Sequence, residues 1–535
     1  MGYGFVIDNR LCIGCHACTV ACKSEHDIPL GVNRTHVKYI EKGLFPNNKR
    51  EFAVHRCNHC ADAPCVEICP TTALYTRKDG IVDFDNDRCI GCKSCMQACP
   101  YDALYIDPNT NTAAKCNYCA HRIDGGYEPA CVIVCPVEAI VSGDLDDPNS
   151  KIATLVDNES VTVRKPEKGT KPQLYYVNGS SEMLVPAATD RKDSYAWSEQ
   201  IAGVGHFAKY ADERVNESDR GSLLLQLALE NHAKSGTAID QRAVDNVQEE
   251  LSYYQDQDTQ RVYDTPSKGV LWGWQVPSYI WTKAIAAGTF MILSLIEIME
   301  LTVSEQVQIE ALSTSLFFMI ITAFLLIVDL DRPDRFLYVL LRPNWTSWLV
   351  RGAYIISAFS GTVALLIIGH WIGWNLSWIK FPGFLLAFLS AVYTAFLFNQ
   401  AKARDHWQSP LLWMHMLIHS LMAGTVIILI LGSSEVQQLI GLLIGLISLN
   451  LILLMIDILV PHRSIDNRKT IFMMKRGYFF LWSTAGILIG NLLPLLMIVG
   501  DYGTPITILA GLFVLLGIFL TEYVRVYAPQ IVSLS

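Results

Sequence analysis

The second half of the chain alternates long apolar runs with short polar connections. Eight runs between residues 271 and 535 approach the length of about 20 apolar residues that a helix needs to cross a bilayer. A bundle buried in a soluble protein is the alternative, but eight runs with few internal charges disfavour it. The predicted spans are Tyr279–Leu301, Ala311–Val328, Trp348–Ile372, Phe381–Phe398, Leu411–Leu431, Val436–Val460, Gly477–Val499 and Pro505–Tyr523.

The first half is polar, and it ends in a segment of low apolar content. Residues 179–270 include DERVNESDRGS and YYQDQDTQ, with one short predicted helix at Ser222–Ala233. We interpret this segment as a polar tether rather than a catalytic domain. The predicted domains are therefore residues 1–178, the tether at 179–270, and a membrane domain at 271–535.

Charge divides the chain at the same place. Residues 1–270 hold 28 of the 42 Lys and Arg and 38 of the 51 Asp and Glu, so the remaining half is nearly neutral. A nucleic-acid-binding domain would show a basic patch or stripe. The acidic half shows none, and no nucleic-acid partner is expected.

Lys and Arg in the loops predict the orientation of the membrane domain. Eight spans put both termini on one side, and the loops of that side carry twelve basic residues against Lys380 alone on the other. The N-terminal MGYGFVIDNR shows no export signal. We therefore expect an inner-membrane protein with a cytoplasmic cluster domain and C-terminus. The twelve residues are Arg332, Arg335, Arg342, Arg351, Lys402, Arg404, Arg463, Arg468, Lys469, Lys475, Arg476 and Arg525.

All 16 cysteines lie between Cys12 and Cys135 in four groups of four. Three groups end in Cys-Pro, like the ferredoxin run C-x2-C-x2-C-x3-C-P, whereas the first ends in Cys22-Lys23. In that run three thiolates bind one cluster and the fourth binds its neighbour. Sixteen thiolates thus match four [4Fe-4S] clusters with none left over.

Other uses of these cysteines fit less well. Zinc sites favour two separated C-x2-C pairs. A disulfide framework needs an oxidising compartment, and no export signal is seen. His16, His55, His59 and His121 stand beside the cysteines and are expected to tune the clusters or lie at the surface. Lys115 precedes Cys116, and its charge is expected to raise the potential of that cluster.

These motifs resemble two known families joined in one chain. Residues 1–178 resemble the four-cluster ferredoxin subunit of complex iron–sulfur molybdoenzymes, such as polysulfide and dimethyl sulfoxide reductases, in the cysteine groups and in KPEKGTKPQLYYV. Residues 271–535 resemble the NrfD-type polysulfide reductase membrane subunit. This resemblance rests on three motifs, which are WTKAIAAGTF at 281–290, DLDRPDRFLYVLLRPNWTSWLVRGA at 329–353 and AVYTAFL at 391–397. The resemblance implies an α+β bacterial-ferredoxin-type domain followed by an all-α bundle of eight transmembrane helices.

The resemblance also implies which cysteines share a cluster. We number the four sets as sites 1 to 4. Site 1 is Cys12, Cys15, Cys18 and Cys135; site 2 is Cys22, Cys116, Cys119 and Cys131; site 3 is Cys57, Cys60, Cys65 and Cys99; site 4 is Cys69, Cys89, Cys92 and Cys95.

One-electron carriers attached to a membrane bundle need a lipid-soluble two-electron partner, for which a quinone (menaquinone or ubiquinone) is the natural choice. Ionisable residues inside spans are costly and usually functional. Tyr393 lies in the run that resembles the family's quinone-contacting helix and is expected to hydrogen-bond the quinone. Lys283 or Asp457 is expected to supply protons. The candidate quinone site is completed by Asp329, Arg332 and Asn399.

Several of these residues have simpler interpretations. Tyr393 could belong to an interfacial aromatic belt, and Asp329 with Arg332 could form a salt bridge that caps a span. His415 and His419 lie one turn apart on one helix face. Haem is not expected, because a second intramembrane histidine on a facing span is missing. A polar relay is favoured over a packed hydrogen-bonded pair.

The soluble part shows no pterin-binding domain, nucleotide loop or nucleophile–base set, so the substrate chemistry is expected on another subunit. By resemblance this partner is a large molybdopterin oxidoreductase. The leading hypothesis is an electron-transfer and quinone-reactive subunit of a respiratory complex, which passes electrons between a cytoplasmic catalytic partner and the quinone pool. The direction is open, and a cytoplasmic active site suits the oxidation of an internally produced substrate such as sulfite. The alternatives are quinol oxidation for a polysulfide or sulfur-compound reductase, redox-driven proton translocation, and a passive anchor.

Loop charge makes the topology testable. A reporter fused to the N-terminus or the C-terminus should report a cytoplasmic location, because the basic loops and both termini share one side. A protease-accessibility assay on intact spheroplasts measures this directly. An N-terminal tag cleaved from outside the cell would contradict the predicted orientation.

Overall fold

The computed structural model describes residues 2–43, 48–185, 189–191, 259–264, 268–298, 303–432, 436–460, 464–500 and 504–534. They form two compact units that divide between Leu271 and Trp272, with residues 533 and 534 belonging to the first unit. The helix predicted at Ser222–Ala233 lies outside the described residues.

The first unit is built on two four-stranded sheets and two hairpins. One sheet has the order β8-β1-β10-β9, the other β11-β12-β2-β3, and the hairpins are β4-β5 and β6-β7. The strands are β1 Tyr3–Asp8, β2 Thr35–Lys42, β3 Lys49–Arg56, β4 Leu74–Thr76, β5 Val82–Phe84, β6 Leu104–Asp107, β7 Thr112–Lys115, β8 Ile140–Asp144, β9 Val161–Thr162, β10 Leu174–Val177, β11 Asp190–Arg191 and β12 Thr259–Tyr263.

Short helices follow the cysteine loops and close the first unit. None exceeds nine residues in the described part of this unit, so tertiary packing rather than intrinsic propensity holds them. They are α1 Ala17–Glu25, α2 Pro64–Ile68, α3 Ser94–Ala98, α4 Ala120–Asp124, α5 Ala130–Ile133, α6 Lys151–Asn158 and α7 Ser181–Leu184.

Strands from distant parts of the sequence complete both sheets. The run KPEKGTKPQLYYV supplies β10, which pairs in parallel with β1 so that Leu174 lies opposite Phe5. Part of the predicted tether forms β12, which pairs antiparallel with β2. A buried ion pair of 2.8 Å joins Lys38 of β2 to Asp264 just after β12. The end of the tether therefore belongs to the sheet of the first unit.

The second unit is helical and contains eight helices or helical segments long and apolar enough to cross a membrane among the described residues. This confirms the predicted number of spans. The helices are α8 Gln275–Ile298, α9 Glu305–Val328, α10 Tyr338–Leu341, α11 Trp348–Ile372, α12 Lys380–Gln400, α13 Leu412–Ile430, α14 Val436–Leu459, α15 Ile465–Lys475, α16 Phe480–Ile487, α17 Leu493–Val499 and α18 Thr504–Ile531.

Some ends of the spans differ from the prediction. Helix α9 begins at Glu305 rather than Ala311, because the Ser304 hydroxyl caps it by accepting a hydrogen bond from the Val307 amide. The seventh span is α16 and α17 joined by a π-helical turn at Leu488–Leu492. Pro494 has no N–H to donate to the preceding turn, and a wider turn accommodates this loss.

Helices α8 and α13 cross where both carry glycine. A Cβ atom added to Gly424 would lie 2.1 Å from the carbonyl carbon of Gly288, and one added to Gly288 would lie 1.7 Å from the carbonyl oxygen of Ser420. Only glycine allows the two backbones to approach this closely. The contact fixes the separation of the two helices that carry Lys283 and His419.

Replacing Gly424 with alanine should destabilise the membrane unit. The added methyl group has to push the two backbones apart, and overpacking of this kind costs about 1–3 kcal/mol. Thermal unfolding of the detergent-purified protein measures the loss. Gly361→Ala is the matched control, because nothing lies within 4 Å of its Cβ position in α11. Equal melting temperatures for Gly424→Ala and the unmodified protein would contradict the close crossing.

Candidate functional site

Each cysteine group begins with a loop in which the residue before the second cysteine has a positive φ angle. The angle is 70° at Gly14, 43° at His59, 69° at Gly91 and 62° at Tyr118. Such left-handed turns can direct backbone N–H groups toward one concave face. The Gly91 amide, for example, donates to the sulfur of Cys89 at 3.5 Å. Hydrogen bonds of this kind tune iron–sulfur clusters.

The structure brings the cysteines together in the sets that the resemblance implies. Three cavities are each lined by four cysteines and by apolar side chains. Their cysteines are Cys12, Cys15, Cys18 and Cys135; Cys57, Cys60, Cys65 and Cys99; and Cys69, Cys89, Cys92 and Cys95. The four remaining cysteines lie close enough for the charge of Cys22 to interact with the other three. They are Cys22, Cys116, Cys119 and Cys131.

Each set offers four cysteine thiolates, the donor set that a [4Fe-4S] cluster requires. Thiolates bind zinc at about 2.3 Å, which would hold four sulfur atoms within about 4 Å of one another. Among the described residues, which include all 16 cysteines, no group of three or more His, Cys, Asp or Glu is arranged to hold one metal ion. All 16 cysteines are free of disulfides.

Burial makes these thiols dependent on metal for their ionisation. Removal from water raises the pKa of Cys18 to about 11 and that of Cys119 to about 12. Desolvation disfavours the charged thiolate. Ligation needs that thiolate, so metal binding and loss of the thiol protons are coupled.

The four sites form a row in numerical order. Neighbouring sites contain cysteines close enough for their charges to interact. These links are Cys18 with Cys131 between sites 1 and 2, Cys116 with Cys57 between sites 2 and 3, and Cys65 with Cys95 between sites 3 and 4. Such a row suits stepwise passage of electrons.

Histidines near the cysteines have different roles. His59 is 1% exposed and its Nδ1 accepts a hydrogen bond from the Val82 amide at 3.2 Å. Burial lowers the pKa of His59 well below its ordinary value, so the ring is neutral. His121 is exposed, and its Nε2 atom lies 2.6 Å from the Glu25 carboxylate. His26 was not predicted as a cluster neighbour, but its Nε2 lies 3.2 Å from the sulfur of Cys119.

In the membrane unit, two predicted quinone residues lie together. Lys283 of α8 and Tyr393 of α12 are 1% and 3% exposed. The Lys283 ammonium lies 4.2 Å from the centre of the Tyr393 ring, within cation–π range. It also donates a hydrogen bond to the hydroxyl of Thr394. Tyr393 is thus inside the bundle rather than in an aromatic belt at its surface.

Asp457 belongs to a second polar group, which we name the carboxylate–histidine network. It consists of His415, His419, Asp457, Glu522 and Arg525. The Asp457 carboxylate lies 2.7 Å from His415 Nε2 and 3.7 Å from the Arg525 guanidinium. The Glu522 carboxylate lies 2.7 Å from His419 Nδ1 and 3.3 Å from Arg525. Both histidines of the predicted relay therefore face a carboxylate.

Glu522 was not predicted as a functional residue, and Arg525 was predicted at a wrong position. The predicted eighth span ended at Tyr523, which put Arg525 in a loop, but α18 continues to Ile531. Glu522 is 1% exposed and Arg525 is 4% exposed. Their spacing of three residues places both on one helix face, which was the available signal.

The other predicted quinone residues lie at the ends of helices. Asp329 is the C-terminal cap of α9. Arg332 donates two hydrogen bonds, of 3.0 and 2.9 Å, to Asp334. Asn399 is exposed, whereas its neighbour Gln400 is buried and accepts from the Trp348 amide at 2.9 Å. The buried candidates are therefore Lys283, Tyr393 and the carboxylate–histidine network.

Comparison with known proteins agrees with this division. Residues 264–533 match the family described as Polysulphide reductase, NrfD. Residues 5–70 and 49–145 each match a family described as 4Fe-4S dicluster domain.

The first part of the chain also resembles iron–sulfur subunits of several reductases. A tetrathionate reductase subunit of Salmonella typhimurium is 42% identical over 201 residues, which cover 37% of this chain and 80% of that protein. A polysulfide reductase subunit of Wolinella succinogenes is 45% identical over 178 residues, covering 33% and 93%. Arsenate respiratory reductase iron–sulfur subunit ArrB of a Shewanella species is 37% identical over 225 residues, covering 33% and 96%.

The crossed ligation of sites 1 and 2 can be tested by single substitutions. Cys12→Ala and Cys135→Ala should abolish or alter the same electron paramagnetic resonance signal, because both thiolates line site 1. Each should cost up to about 4 of 16 iron atoms. Cys22→Ala is the control, since it should affect a different signal. A Cys135 variant that matches Cys22→Ala rather than Cys12→Ala would refute the crossed pattern.

Proposed function

We infer the function from a premise that the matches establish: this chain belongs to the polysulphide reductase NrfD family and carries a ferredoxin-type iron–sulfur subunit in the same polypeptide. It is a multi-pass membrane protein and a member of an oxidoreductase complex. Fusion fixes the ratio of the two functional parts at one to one.

We propose that the chain passes electrons between a catalytic partner subunit and membrane quinone through four [4Fe-4S] clusters. The observation that carries the proposal is the set of buried ionisable groups in the membrane unit, Lys283 and the carboxylate–histidine network. Burying such groups is expensive, and within a membrane they usually serve transport or redox chemistry. The partner, by resemblance, is a large molybdopterin subunit that holds the substrate site.

In the first unit, the thiolates of sites 1 to 4 would hold the clusters, which supply one-electron transfer when bound. The chain's own contribution is to fix the four positions and to limit the access of water, most completely at sites 2 and 3, whose eight cysteines are all buried. Apolar side chains such as Val37 and Ile140 line the site 1 cavity together with its cysteines. Removal of water also strengthens every hydrogen bond to sulfur.

In the membrane unit, residues have to accept or supply two protons for each quinone molecule that reacts. Oxidation of a quinol releases two electrons and two protons, and reduction of a quinone takes them up. The Tyr393 hydroxyl can hydrogen-bond a quinone oxygen, and the nearby Lys283 ammonium can stabilise negative charge that develops there. The two histidine–carboxylate pairs offer one proton-accepting position each. Arg525 lies between both carboxylates, and its positive charge favours their proton-accepting form.

The names of the relatives bear on the direction of electron flow. Tetrathionate, polysulfide and arsenate reductases are all named for reduction of their substrate. This supports quinol oxidation by the chain, with electrons passing to a partner that reduces an inorganic acceptor. It favours that alternative over the oxidation of a sulfur compound such as sulfite.

A second candidate is redox-driven proton translocation, and the carboxylate–histidine network favours it. The Oε2 atom of Glu522 and the Nε2 atom of His419 are buried without a hydrogen-bond partner among the described residues, which leaves positions for water or a transferred proton. Vesicles containing the complex measure the ratio of protons to electrons. A ratio above that of the quinone chemistry supports translocation, and an equal ratio excludes it.

Loss of the Tyr393 hydroxyl should slow quinol oxidation. Tyr393→Phe removes a hydrogen bond worth about 1 kcal/mol, so a roughly fivefold to tenfold fall in rate is expected with an artificial electron acceptor. Tyr354→Phe is the matched control, because Tyr354 is exposed and donates to the Leu340 carbonyl. Unchanged rates in Tyr393→Phe would remove this residue from the quinone site.

Neutralising Glu522 should have a larger effect. Glu522→Gln keeps the shape of the side chain but removes the charge that faces His419, and loss of a proton acceptor typically costs about 100-fold or more. The rate of quinol oxidation in the intact complex measures the loss. Full activity with normal iron content would contradict a role for the network in proton transfer.

A further inference from the structure

Arg56, the last residue of β3, is a buried cation without a carboxylate partner among the described residues. It is 1% exposed, and its guanidinium stacks over the Phe5 ring at 4.7 Å. Its Nη1 donates to the sulfur of Cys131 at 3.0 Å. Its Nε and Nη2 atoms have no hydrogen-bond partner in the same described part of the chain.

A permanently charged side chain in this position needs a compensating anion. Arginine stays protonated in proteins, and an unpaired buried charge is strongly destabilising. The groups whose charges act on Arg56 most strongly are Cys131, Cys18 and Cys116. Cys18 belongs to site 1 and the other two to site 2, so the cation lies at the junction of these sites.

The side chain of Arg56 does not face the site whose cysteine follows it in the sequence. It immediately precedes Cys57, a ligand candidate of site 3, but its side chain faces sites 1 and 2. Lys115 also acts on a site other than the one whose cysteine follows it. It precedes Cys116 of site 2, and its charge acts on Cys57 of site 3. Lys115 differs in one respect, because its ammonium donates to the carbonyls of Val82 and Cys116.

We propose that Arg56 is a positioning residue that raises the reduction potentials of the clusters at sites 1 and 2. A [4Fe-4S] cluster held by four thiolates is anionic, and an added electron makes it more so. A fixed cation therefore stabilises the reduced state, and hydrogen bonds to sulfur act in the same direction. The two unpartnered nitrogen atoms are the donors left for sulfur at this junction.

As a consequence, the reduction potential differs between the two halves of the electron path. Arg56 serves two neighbouring sites at once, so it raises both together relative to sites 3 and 4. This inference rests on the proposed cluster assignment, and iron analysis of the unmodified chain tests that assignment separately. A content far below about 16 iron atoms would remove the assignment itself.

The test is a redox titration of the purified full-length protein followed by electron paramagnetic resonance. Arg56→Met should keep its iron and shift two of the four midpoint potentials to more negative values. The Cys12 and Cys22 variants identify those two signals as sites 1 and 2. Unchanged potentials, or an equal shift of all four, would overturn the proposal.

Two further variants separate charge from folding. Arg56→Lys keeps the positive charge and loses the planar fork, so the same two potentials should shift less than in Arg56→Met. If Arg56→Met fails to retain iron, Arg56→Gln, which removes the charge and keeps a donor, replaces it: a negative shift confined to two signals supports the proposal, and unchanged potentials overturn it. Arg77→Met is the surface control, because Arg77 pairs with Asp124 outside the sites and should move none of the four signals.

Discussion

Charge removed from water has to be compensated locally, and this constraint organises both units of the protein. In the first unit, sixteen thiolates in a largely buried setting need metal, amide N–H groups and two buried cations to be stable. In the second unit, two carboxylates inside apolar helices are held beside Arg525 and two histidines. The same arrangement that lowers the cost of burial also creates groups that respond when an electron or a proton arrives.

Backbone geometry places these charges. The left-handed residue before the second cysteine of each loop turns the chain sharply enough to gather three thiolates, and the fourth thiolate of each set comes from a distant part of the sequence. In the membrane unit, the contact of Gly288 with Gly424 brings α8 and α13 together, which sets Lys283 and His419 on neighbouring helices. Substitutions far from any charge can therefore disturb the chemistry.

The predictions that succeeded depend on local spacing. The cysteine groups and the eight apolar runs each involve residues close in sequence, so the iron–sulfur fold and the number of spans could be predicted. Arg56 and Glu522 were missed because their importance comes from partners 75 and 103 residues away, at Cys131 and His419. Asn399 was predicted in the quinone site but is exposed, whereas Gln400 beside it is buried, because one helical position decides which of two similar amides faces inward. The sequence of strand β12 is polar, which is typical of a tether. Its partner β2 is more than 200 residues distant, so no local pattern predicts the pairing.

In our account, electrons pass between the clusters and membrane quinone within this one chain. The most direct measurement starts from the purified protein with its clusters reduced by dithionite and the excess removed. Addition of a soluble quinone analogue should reoxidise the clusters, seen as loss of their electron paramagnetic resonance signals. Signals that persist with the quinone analogue, yet disappear when ferricyanide is added, would contradict the claim.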